Sequence, residues 1–269
     1  MKKRLFNLIF FLFFRKQKKT SIFYGLIARS PFFKPRIHYN KKQLIDNYDN
    51  LYFNYMNRLY YYSMGLKYRY ESLLKEYSLE NLSQLKISDE DLIIDCGANI
   101  GEFSRGLYKS IGNKNVICFE PDPEEFEIMK KNCSFSNLKH QKAGLSNKDD
   151  VKEFYLNNLT GDSSIIENED SSNKIKIQTL RLDNFINNNY KNKLIGILKI
   201  EAEGYEPEVV DGCEYIYDKI KYITIDCGPE RNGETTFKEI NDKLVKNNFS
   251  LLNFNSYRKT LLYSNNNFN

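Results

Sequence analysis

The sequence predicts an α/β fold, a mostly parallel sheet with helices on both faces. From about residue 91 onward, short apolar runs alternate with helical segments, as in parallel strands joined by helical crossovers. The runs "LIID" and "IGILKI" are apolar on both faces, which is typical of strands covered by helices on both sides. Ligands of such sheets bind beyond the carboxyl ends of the strands.

Each predicted element follows from the period of its apolar residues. The strand "DLIID" precedes a helix from about residue 99 to 110, and the strand "NVICFE" precedes a helix from 123 to about 132. Further strands are predicted at "LKHQKAG", "KEFYL", "KIKIQTL", "LIGILKIE", "KYITID", "FSLLNF" and "RKTLLYS". Two more helices are predicted, near 207–213 and over "TTFKEINDKLVKNN".

The length of 269 residues fits one domain with an N-terminal extension, and we place the α/β domain at residues 87–269. Charges between residues 40 and 86 are spaced as on a helix face. We therefore predict a Tyr-rich helical extension over residues 21–86. Its tyrosines would either stack on a sugar ring or serve as half-buried packing residues.

Residues 1–20 form a cationic and apolar segment. As a helix, the apolar run from Leu5 to Phe14 would span roughly 15 Å, about half the hydrocarbon core of a bilayer. Cationic residues follow it where a signal peptide would carry small residues and a cleavage site. We expect either a membrane-surface anchor or a helix packed on the domain or on a partner.

The composition argues against several kinds of site. The net charge is +5, but the chain after residue 20 is nearly balanced, so no nucleic-acid-binding surface is predicted. The five cysteines include no C-x-x-C pair, and there are only two histidines. These features disfavour a disulfide framework and a metal site. We expect a cytoplasmic protein, with any membrane association provided by residues 1–20.

Acidic residues and glycines occur where predicted strands end. Gly97 and Gly101, after the first strand, would let a ligand approach the backbone, and the following helix start offers free N–H groups. Glu120 ends the second strand, 25 residues after Asp95. That separation is near the distance at which an acidic side chain accepts hydrogen bonds from ribose hydroxyls.

The glycine turn alone fits either a plain strand-to-helix turn or a dinucleotide site. Its spacing is G-x-x-x-G, however, and dinucleotide sites carry G-x-G-x-x-G. The carboxylate of Asp95 would also repel a pyrophosphate. A cationic ligand with a ribose and no phosphate fits better, and S-adenosylmethionine has a sulfonium, an amino group and a ribose.

Five segments of the sequence together resemble a known family. The segments "LIIDCGANIGEFS", "VICFEPDPEEFEIMKKN", "AGLSNKDD", "TLRLDNF" and "LKIEAEGYEPEVVDG", in this order, are similar to the FkbM-type family of S-adenosylmethionine-dependent methyltransferases. The resemblance covers about residues 85–265. It implies a Rossmann-like, seven-stranded sheet that ends in a hairpin, and O-methylation of sugars or natural products.

The resemblance also implies roles for individual residues. The methionine part of the cofactor would be surrounded by Asp95, Gly97, Asn99, Gly101 and Glu102. Glu120 would hold the ribose, and Leu145 with Ser146 would lie beside the adenine. The third family motif usually reads K-I-D-x-E-G, and here Glu201 replaces the Asp. We expect Glu201 to contact the cofactor with a side chain that is one methylene longer.

A sugar hydroxyl needs a general base to become a good nucleophile. Lys199, Glu201 and Glu203 share one face of an extended chain, and Glu203 is the predicted base. Lys199 would act as a base only if burial lowered its pKa, and would otherwise orient the acceptor. Alternatively, the three residues form a buried ion-pair network that holds the loop. His140 is a further candidate base, and Asp226 either contacts the substrate or caps the next turn.

A function from another class also remains open. The protein could be a non-catalytic, membrane-associated scaffold of a glycan-assembly complex that retains the methyltransferase fold. The intact glycine turn and Glu120 argue against that reading, and binding of S-adenosylmethionine would separate the two. The turn spacing disfavours a nicotinamide-dependent oxidoreductase.

Overall fold

In the computed structural model, the described residues are 37–40, 43–46, 50–53, 66–111, 115–134, 138–157, 162–167 and 173–268. The predicted cationic segment at residues 1–20 lies outside them. The chain divides into two compact units, Met1–Arg69 and Tyr70–Asn269. Residues 70–86, which we assigned to the extension, therefore belong to the same unit as the α/β domain.

The first unit contains a small antiparallel sheet of β1 (Ile37–Asn40), β2 (Gln43–Asp46) and β3 (Leu51–Phe53). The predicted helical extension is wrong here. Leu51 and Phe53 are buried on either side of a half-buried Tyr52, which is the two-residue period of a strand. Aromatic and branched residues favour strands, and this preference outweighs the helix-like charge spacing. A helix does form at α1 (Leu66–Glu76).

The second unit is built on a seven-stranded sheet in the order β12-β13-β11-β10-β4-β5-β6. Its strands are β4 (Leu92–Cys96), β5 (Asn115–Phe119), β6 (Lys139–Gln141), β10 (Ile195–Ile200), β11 (Ile220–Asp226), β12 (Phe249–Asn255) and β13 (Thr260–Asn265). β11, β10, β4, β5 and β6 run parallel, and the hairpin β12–β13 pairs antiparallel onto β11. The predicted Rossmann-like sheet is confirmed.

Helices cover both faces of this sheet. The helices of the second unit are α2 (Glu102–Ile111), α3 (Pro123–Asn132), α4 (Leu182–Asn189), α5 (Glu206–Asp211) and α6 (Phe237–Lys246). α2 and α3 pack with the end of α1 in one apolar cluster, and α4, α5 and α6 pack in the other. Along β4, Ile93 faces the first cluster, whereas Leu92 and Ile94 face the second. This alternation explains why residues 92–94 are apolar on both faces of the sheet.

Three more strands form a separate small sheet in the order β7-β9-β8. They are β7 (Gly144–Leu145), β8 (Asp150–Leu156) and β9 (Asn173–Leu180). The segments "KEFYL" and "KIKIQTL" are thus strands as predicted, and they pair antiparallel with each other. Helix α4, which follows β9, was not predicted.

Among the described residues, no helix is both long enough and apolar enough to cross a bilayer.

Candidate functional site

The candidate site lies at the carboxyl ends of β4, β5, β10 and β11. Lys199 on β10 pairs in register with Asp95 on β4, and on the other side with Thr224 on β11. The loops that follow these strands therefore emerge side by side. Three of the predicted acidic positions, Asp95, Glu120 and Glu201, lie at this edge because parallel strands end together.

The glycine turn after β4 needs its glycines for internal reasons. Gly97 and Gly101 have φ of +72° and +78°, a conformation that costs little only in glycine. A Cβ at Gly97 would lie 1.9 Å from the carbonyl oxygen of Glu201, and one at Gly101 would lie 2.8 Å from Cys133 Sγ. The protein's own packing thus requires glycine at both positions, and the approach of a ligand to this backbone stays a prediction.

Glu120 ties this turn to the loop after β5. Its Oε2 accepts a hydrogen bond from the backbone N–H of Asn99, and its Oε1 accepts one from the N–H of Asp122, both at 2.7 Å. The side chain is only 5% exposed, and burial raises the pKa of Glu120 to about 8 even though these two N–H groups lower it. Each oxygen keeps a second lone pair, so Glu120 organises the turn and can still accept from a ligand.

Asp95 and Lys199 form a buried ion pair beneath the turn. Lys199 Nζ lies 3.1 Å from Asp95 Oδ1 and donates to the carbonyl oxygens of Cys96 and Gly97 at 3.2 and 2.8 Å. The Oγ of Ser104 donates to Asp95 at 2.5 Å. Asp95 has no exposed surface, so it holds Lys199 and Ser104 instead of facing the cleft. Its predicted contact with the methionine part remains a prediction.

Lys199 is poorly suited to act as a base. Burial alone would lower the pKa of Lys199, but Asp95, Tyr77 and Glu201 raise it well above its ordinary value. The Lys199 side chain is only 2% exposed, and its ammonium is already bound to Asp95 and to two carbonyl oxygens, so it has no surface for orienting an acceptor. The structure therefore supports the alternative, an ion-pair network, for Lys199 and Glu201.

Glu201 is held by three side chains. Its Oε2 accepts a hydrogen bond from Tyr77 Oη and lies 3.3 Å from Lys199 Nζ. Its Oε1 accepts from Arg258 Nη2 at 3.1 Å. Burial alone would raise the pKa of Glu201, but Lys199, Arg258 and Tyr77 bring it down to about 2. The side chain is 22% exposed, so Glu201 presents a permanent negative charge to the cleft.

Glu203 lies in a strained loop after β10. Its φ is +50°, and Gly204 follows with φ of +94°. Glu206 stabilises this turn, because its Oε1 accepts from the N–H groups of Ala202 and Gly204 at 2.8 and 3.2 Å. Arg231 Nε donates to the Gly204 carbonyl at 2.8 Å, and Ser164 Oγ donates to the Glu203 carbonyl at 2.8 Å. The backbone that carries Glu203 is therefore fixed from three sides.

The Glu203 carboxyl differs in kind from that of Glu201. Among the described residues, no group donates a hydrogen bond to it. Burial, followed by the negative charges of Glu201 and Asp162, raises the pKa of Glu203 well above its ordinary value. Glu206 and Glu230 act in the same direction. The carboxyl is half-buried, and a proton-accepting group with a raised pKa is what a general base requires.

Asp226 and His140 occupy different places. Asp226, at the end of β11, accepts from the N–H of Gly228 at 2.8 Å and lies 3.5 Å from Arg258 Nη2. Burial and then Glu201 raise the pKa of Asp226 to about 7. His140 lies on the edge strand β6, separated from β10 by β4 and β5. The structure thus brings Asp226 to the rim, whereas two strands lie between His140 and the strand β10 that carries Lys199.

The remaining predicted residues lie around the same edge. Asn99 is in the glycine turn with φ of +52°, and Glu102 is the first residue of α2. Leu145 and Ser146 come at the end of β7 in the small sheet, and both are buried. Ser146 Oγ lies 3.3 Å from the hydroxyl of Tyr205, which precedes α5. Their roles beside the adenine stay predictions.

Sequence reasoning missed Tyr77, Arg258 and Arg231. Tyr77 is one of many tyrosines in its segment, and nothing in its local pattern marks it. Arg231 follows β11, and Arg258 lies between β12 and β13. Each contacts a residue that is distant from it in the sequence. Among the described residues, no group of three or more His, Cys, Asp or Glu side chains could hold a metal ion.

Two known methyltransferases are similar to part of this chain. Methyltransferase 1 of Beauveria bassiana is 24% identical over 149 residues, which cover 47% of this chain and 59% of that protein. The chain thus spans less than two thirds of the length of this relative. Methyltransferase sdnD of Sordaria araneosa is 23% identical over 192 residues, which cover 59% of this chain and 74% of that protein.

Among solved structures, an S-adenosylmethionine-dependent methyltransferase of Leishmania major aligns with a TM-score of 0.44 and 10% identity, covering 78% of this chain and 73% of that chain. Fibrillarin of Aeropyrum pernix, solved with S-adenosylmethionine, aligns with a TM-score of 0.43 and 12% identity, covering 71% and 74%. The family model of the methyltransferase FkbM domain matches residues 95–251. Because that match covers more than half of the chain, this protein belongs to the FkbM methyltransferase domain family.

Proposed function

We propose that this protein is an S-adenosylmethionine-dependent methyltransferase that O-methylates a hydroxyl of a sugar or glycan. The observation that carries the proposal is the carboxyl of Glu203. It is half-buried and has a raised pKa, and among the described residues no group donates a hydrogen bond to it. Family membership supports methyl transfer, and the sugar acceptor is drawn from the family resemblance.

The chemistry of the site suits S-adenosylmethionine. Among the described residues at this edge, the two nearest cations, Lys199 and Arg258, are already paired with carboxylates. The groups left to face a ligand are mainly acidic, with Glu201 ionised and Glu203 and Asp226 close to it. This favours a cationic ligand and disfavours a pyrophosphate. Glu201 would hold the amino group, and Glu120 would accept from the ribose hydroxyls.

S-adenosylmethionine supplies the methyl group when bound. The protein's part is to align the acceptor and to remove its proton. Glu203, in its carboxylate form, accepts the hydroxyl proton of the acceptor. The fixed backbone of residues 202–206 keeps this carboxyl at one place on the rim. Glu201, Lys199 and Asp95 hold a constant charge arrangement beneath it.

The proposal also covers residues 1–20, which we assign to contact with a membrane surface. Nine of the ten residues from Leu5 to Phe14 are apolar, and cations flank this run on both sides, as in an interfacial anchor. A membrane position would bring the enzyme to glycan intermediates that are carried on lipids.

The test uses the purified full-length protein. Binding of S-adenosylhomocysteine is measured by calorimetry, and transfer of labelled methyl from S-adenosylmethionine is measured on a panel of monosaccharides, nucleotide sugars and polysaccharide fragments. We expect micromolar binding and transfer to at least one hydroxyl-bearing acceptor. Binding without transfer to any acceptor would favour the scaffold. Micromolar binding of NAD without a response to S-adenosylhomocysteine would overturn the proposal.

A further inference from the structure

The segment that ends helix α1 reaches into the candidate site, although it lies before the family-matched residues 95–251. Thr224 Oγ1 on β11 donates to the carbonyl oxygen of Tyr77 at 2.6 Å. Thr260 Oγ1 donates to the carbonyl oxygen of Glu76, and Asn255 Nδ2 donates to that of Lys75 at 2.6 Å. Three consecutive carbonyl groups at this helix end are thus bound to β11 and to the β12–β13 hairpin.

This anchoring fixes the side chain of Tyr77. The residue is 3% exposed, and its ring meets that of Phe103 edge-on at 5.3 Å. Lys199 Nζ lies 5.1 Å from the centre of the Tyr77 ring. The hydroxyl donates to Glu201 Oε2. Burial of a phenol hydroxyl costs free energy unless it is hydrogen-bonded, and the Glu201 carboxylate supplies the acceptor for Tyr77.

Arg258 holds the other oxygen of the same carboxylate. It comes from the β12–β13 hairpin, after the last family-matched residue, and its backbone N–H donates to Asn255 Oδ1 at 3.1 Å. Its Nη2 lies 3.1 Å from Glu201 Oε1. Tyr77 and Arg258 therefore each bind one oxygen of the Glu201 carboxylate. A shorter Asp side chain at position 201 would lose at least one of these two contacts.

We propose that Tyr77 and Arg258 are positioning residues that hold the Glu201 carboxylate in a single orientation toward the cofactor. The inference deepens the proposed function and rests on it. Neither residue is assigned contact with the reacting atoms. Both act through Glu201, and both lie outside the family-matched segment, so the site is completed by flanking regions of the chain.

The experiment measures the dissociation constant of S-adenosylhomocysteine by calorimetry, with the melting temperature of each unliganded variant as a folding control. Tyr77→Phe keeps the ring and removes only the hydroxyl. We expect it to weaken binding about tenfold, the scale of a hydrogen bond to a charged group. Arg258→Met should weaken binding by a similar factor of about ten, and Arg258→Lys should restore part of the loss.

The matched control is Tyr263→Phe. Tyr263 is also buried in the sheet, but its hydroxyl lies against Asn241 Oδ1 on α6 at 3.1 Å. This variant should bind S-adenosylhomocysteine like the wild type. The decisive comparison is the double variant Tyr77→Phe/Glu201→Gln. If Tyr77 acts through Glu201, the double variant should bind no more weakly than Glu201→Gln alone.

Each outcome bears on the inference. Additive losses in the double variant would show that Tyr77 affects binding independently of Glu201. A Tyr77→Phe variant with a lowered melting temperature and unchanged affinity would show a merely structural tyrosine. Either result would overturn the inference. A wild-type protein that does not bind S-adenosylhomocysteine would instead overturn the proposed function, and the inference with it.

Discussion

At the scale of residues, two glutamates two positions apart have opposite electrostatic surroundings. Glu201 faces Lys199 and Arg258, which stabilise its charge, whereas Glu203 faces Glu201 and Asp162, which oppose ionisation. The pKa of Glu201 falls to about 2, and that of Glu203 rises well above its usual range. Two carboxyl groups whose pKa values are shifted in opposite directions suit different roles, one as a permanent charge and the other as a proton acceptor.

We expect Glu203→Gln to lower kcat by about 10²–10⁴, the usual contribution of a general base. The dissociation constant of S-adenosylhomocysteine should change little, because Gln keeps the shape of the side chain. The wild-type rate should rise with pH as the carboxylate form accumulates, and the variant should lose this dependence. Glu239→Gln, on the exposed surface of α6, is the control. A lowered melting temperature with unchanged turnover per folded molecule would contradict the catalytic role.

Glu120 gives a second prediction, because it both faces the cleft and holds the backbone. Glu120→Ala should weaken S-adenosylhomocysteine binding, and it should also destabilise the protein by about 1–3 kcal/mol by leaving the N–H groups of Asn99 and Asp122 without their acceptor. Glu120→Gln keeps one acceptor and should lose less stability. Calorimetry and thermal unfolding on the same samples check both effects. Unchanged affinity would remove Glu120 from the cofactor site.

At the scale of elements, the turn between β4 and α2 is held by β10. The carbonyl oxygen of Glu201 occupies the space that a side chain at Gly97 would need, and the N–H of Glu201 is bound to the carbonyl of Cys96 at 3.1 Å. The two loops therefore cannot separate without breaking the end of the sheet. Packing between neighbouring strand ends accounts for this glycine without reference to a ligand.

The glycine turn can be tested against a glycine of the same conformation. Gly233 has φ of +81°, but no atom lies within 4 Å of the Cβ position. Gly233→Ala should cost only the conformational term of about 1–2 kcal/mol. Gly97→Ala should lower the free energy of unfolding several times as much, because the clash with the Glu201 carbonyl adds to a similar conformational cost. Denaturant unfolding of both variants makes the comparison, and equal losses would show that the clash is relieved cheaply.

At the scale of the whole molecule, the site concentrates buried acids whose pKa values are raised. Burial raises the pKa of Glu120 and Glu206 to about 8 and that of Asp226 to about 7. Above their ordinary pKa values near 4, the unfolded chain has released protons that the folded protein still holds. The free energy of unfolding therefore falls as pH rises through this window, until the folded groups also ionise. The lowered pKa of Glu201 does not oppose this fall in the free energy of unfolding, because the stability that ionised Glu201 contributes is lost only at acidic pH.

We expect the melting temperature to be higher at about pH 6.5 than at about pH 8, since these three acids titrate in this interval. Glu206→Gln should flatten the dependence and should raise the melting temperature near pH 8 by about 2–4 °C, the shift for 1 kcal/mol in a domain of this size. Thermal unfolding across the pH series checks this. A melting temperature that rises with pH would contradict the burial of these acids.

The sequence by itself determined the alternation of strands and helices, the acidic and glycine-rich strand ends, and the family. These features are local, because apolar period and turn composition act over a few residues. It also placed Glu120, Glu201 and Asp226 at one edge, since parallel strands end together. The helical extension expected over residues 21–86 was wrong at the strands between residues 37 and 53, because strand pairing outweighed a weak charge pattern.

Only the tertiary structure decided which charges meet. Lys199 is held charged by Asp95 on another strand, and Tyr77 and Arg258 reach Glu201 from before and after the family-matched residues. Among the described residues, no group donates a hydrogen bond to the Glu203 carboxyl. Burial and distance between remote residues set these pKa values, and neither is written in a local pattern. The roles that we propose for these residues, as base, fixed charge and support, therefore depend on packing and not on the local sequence.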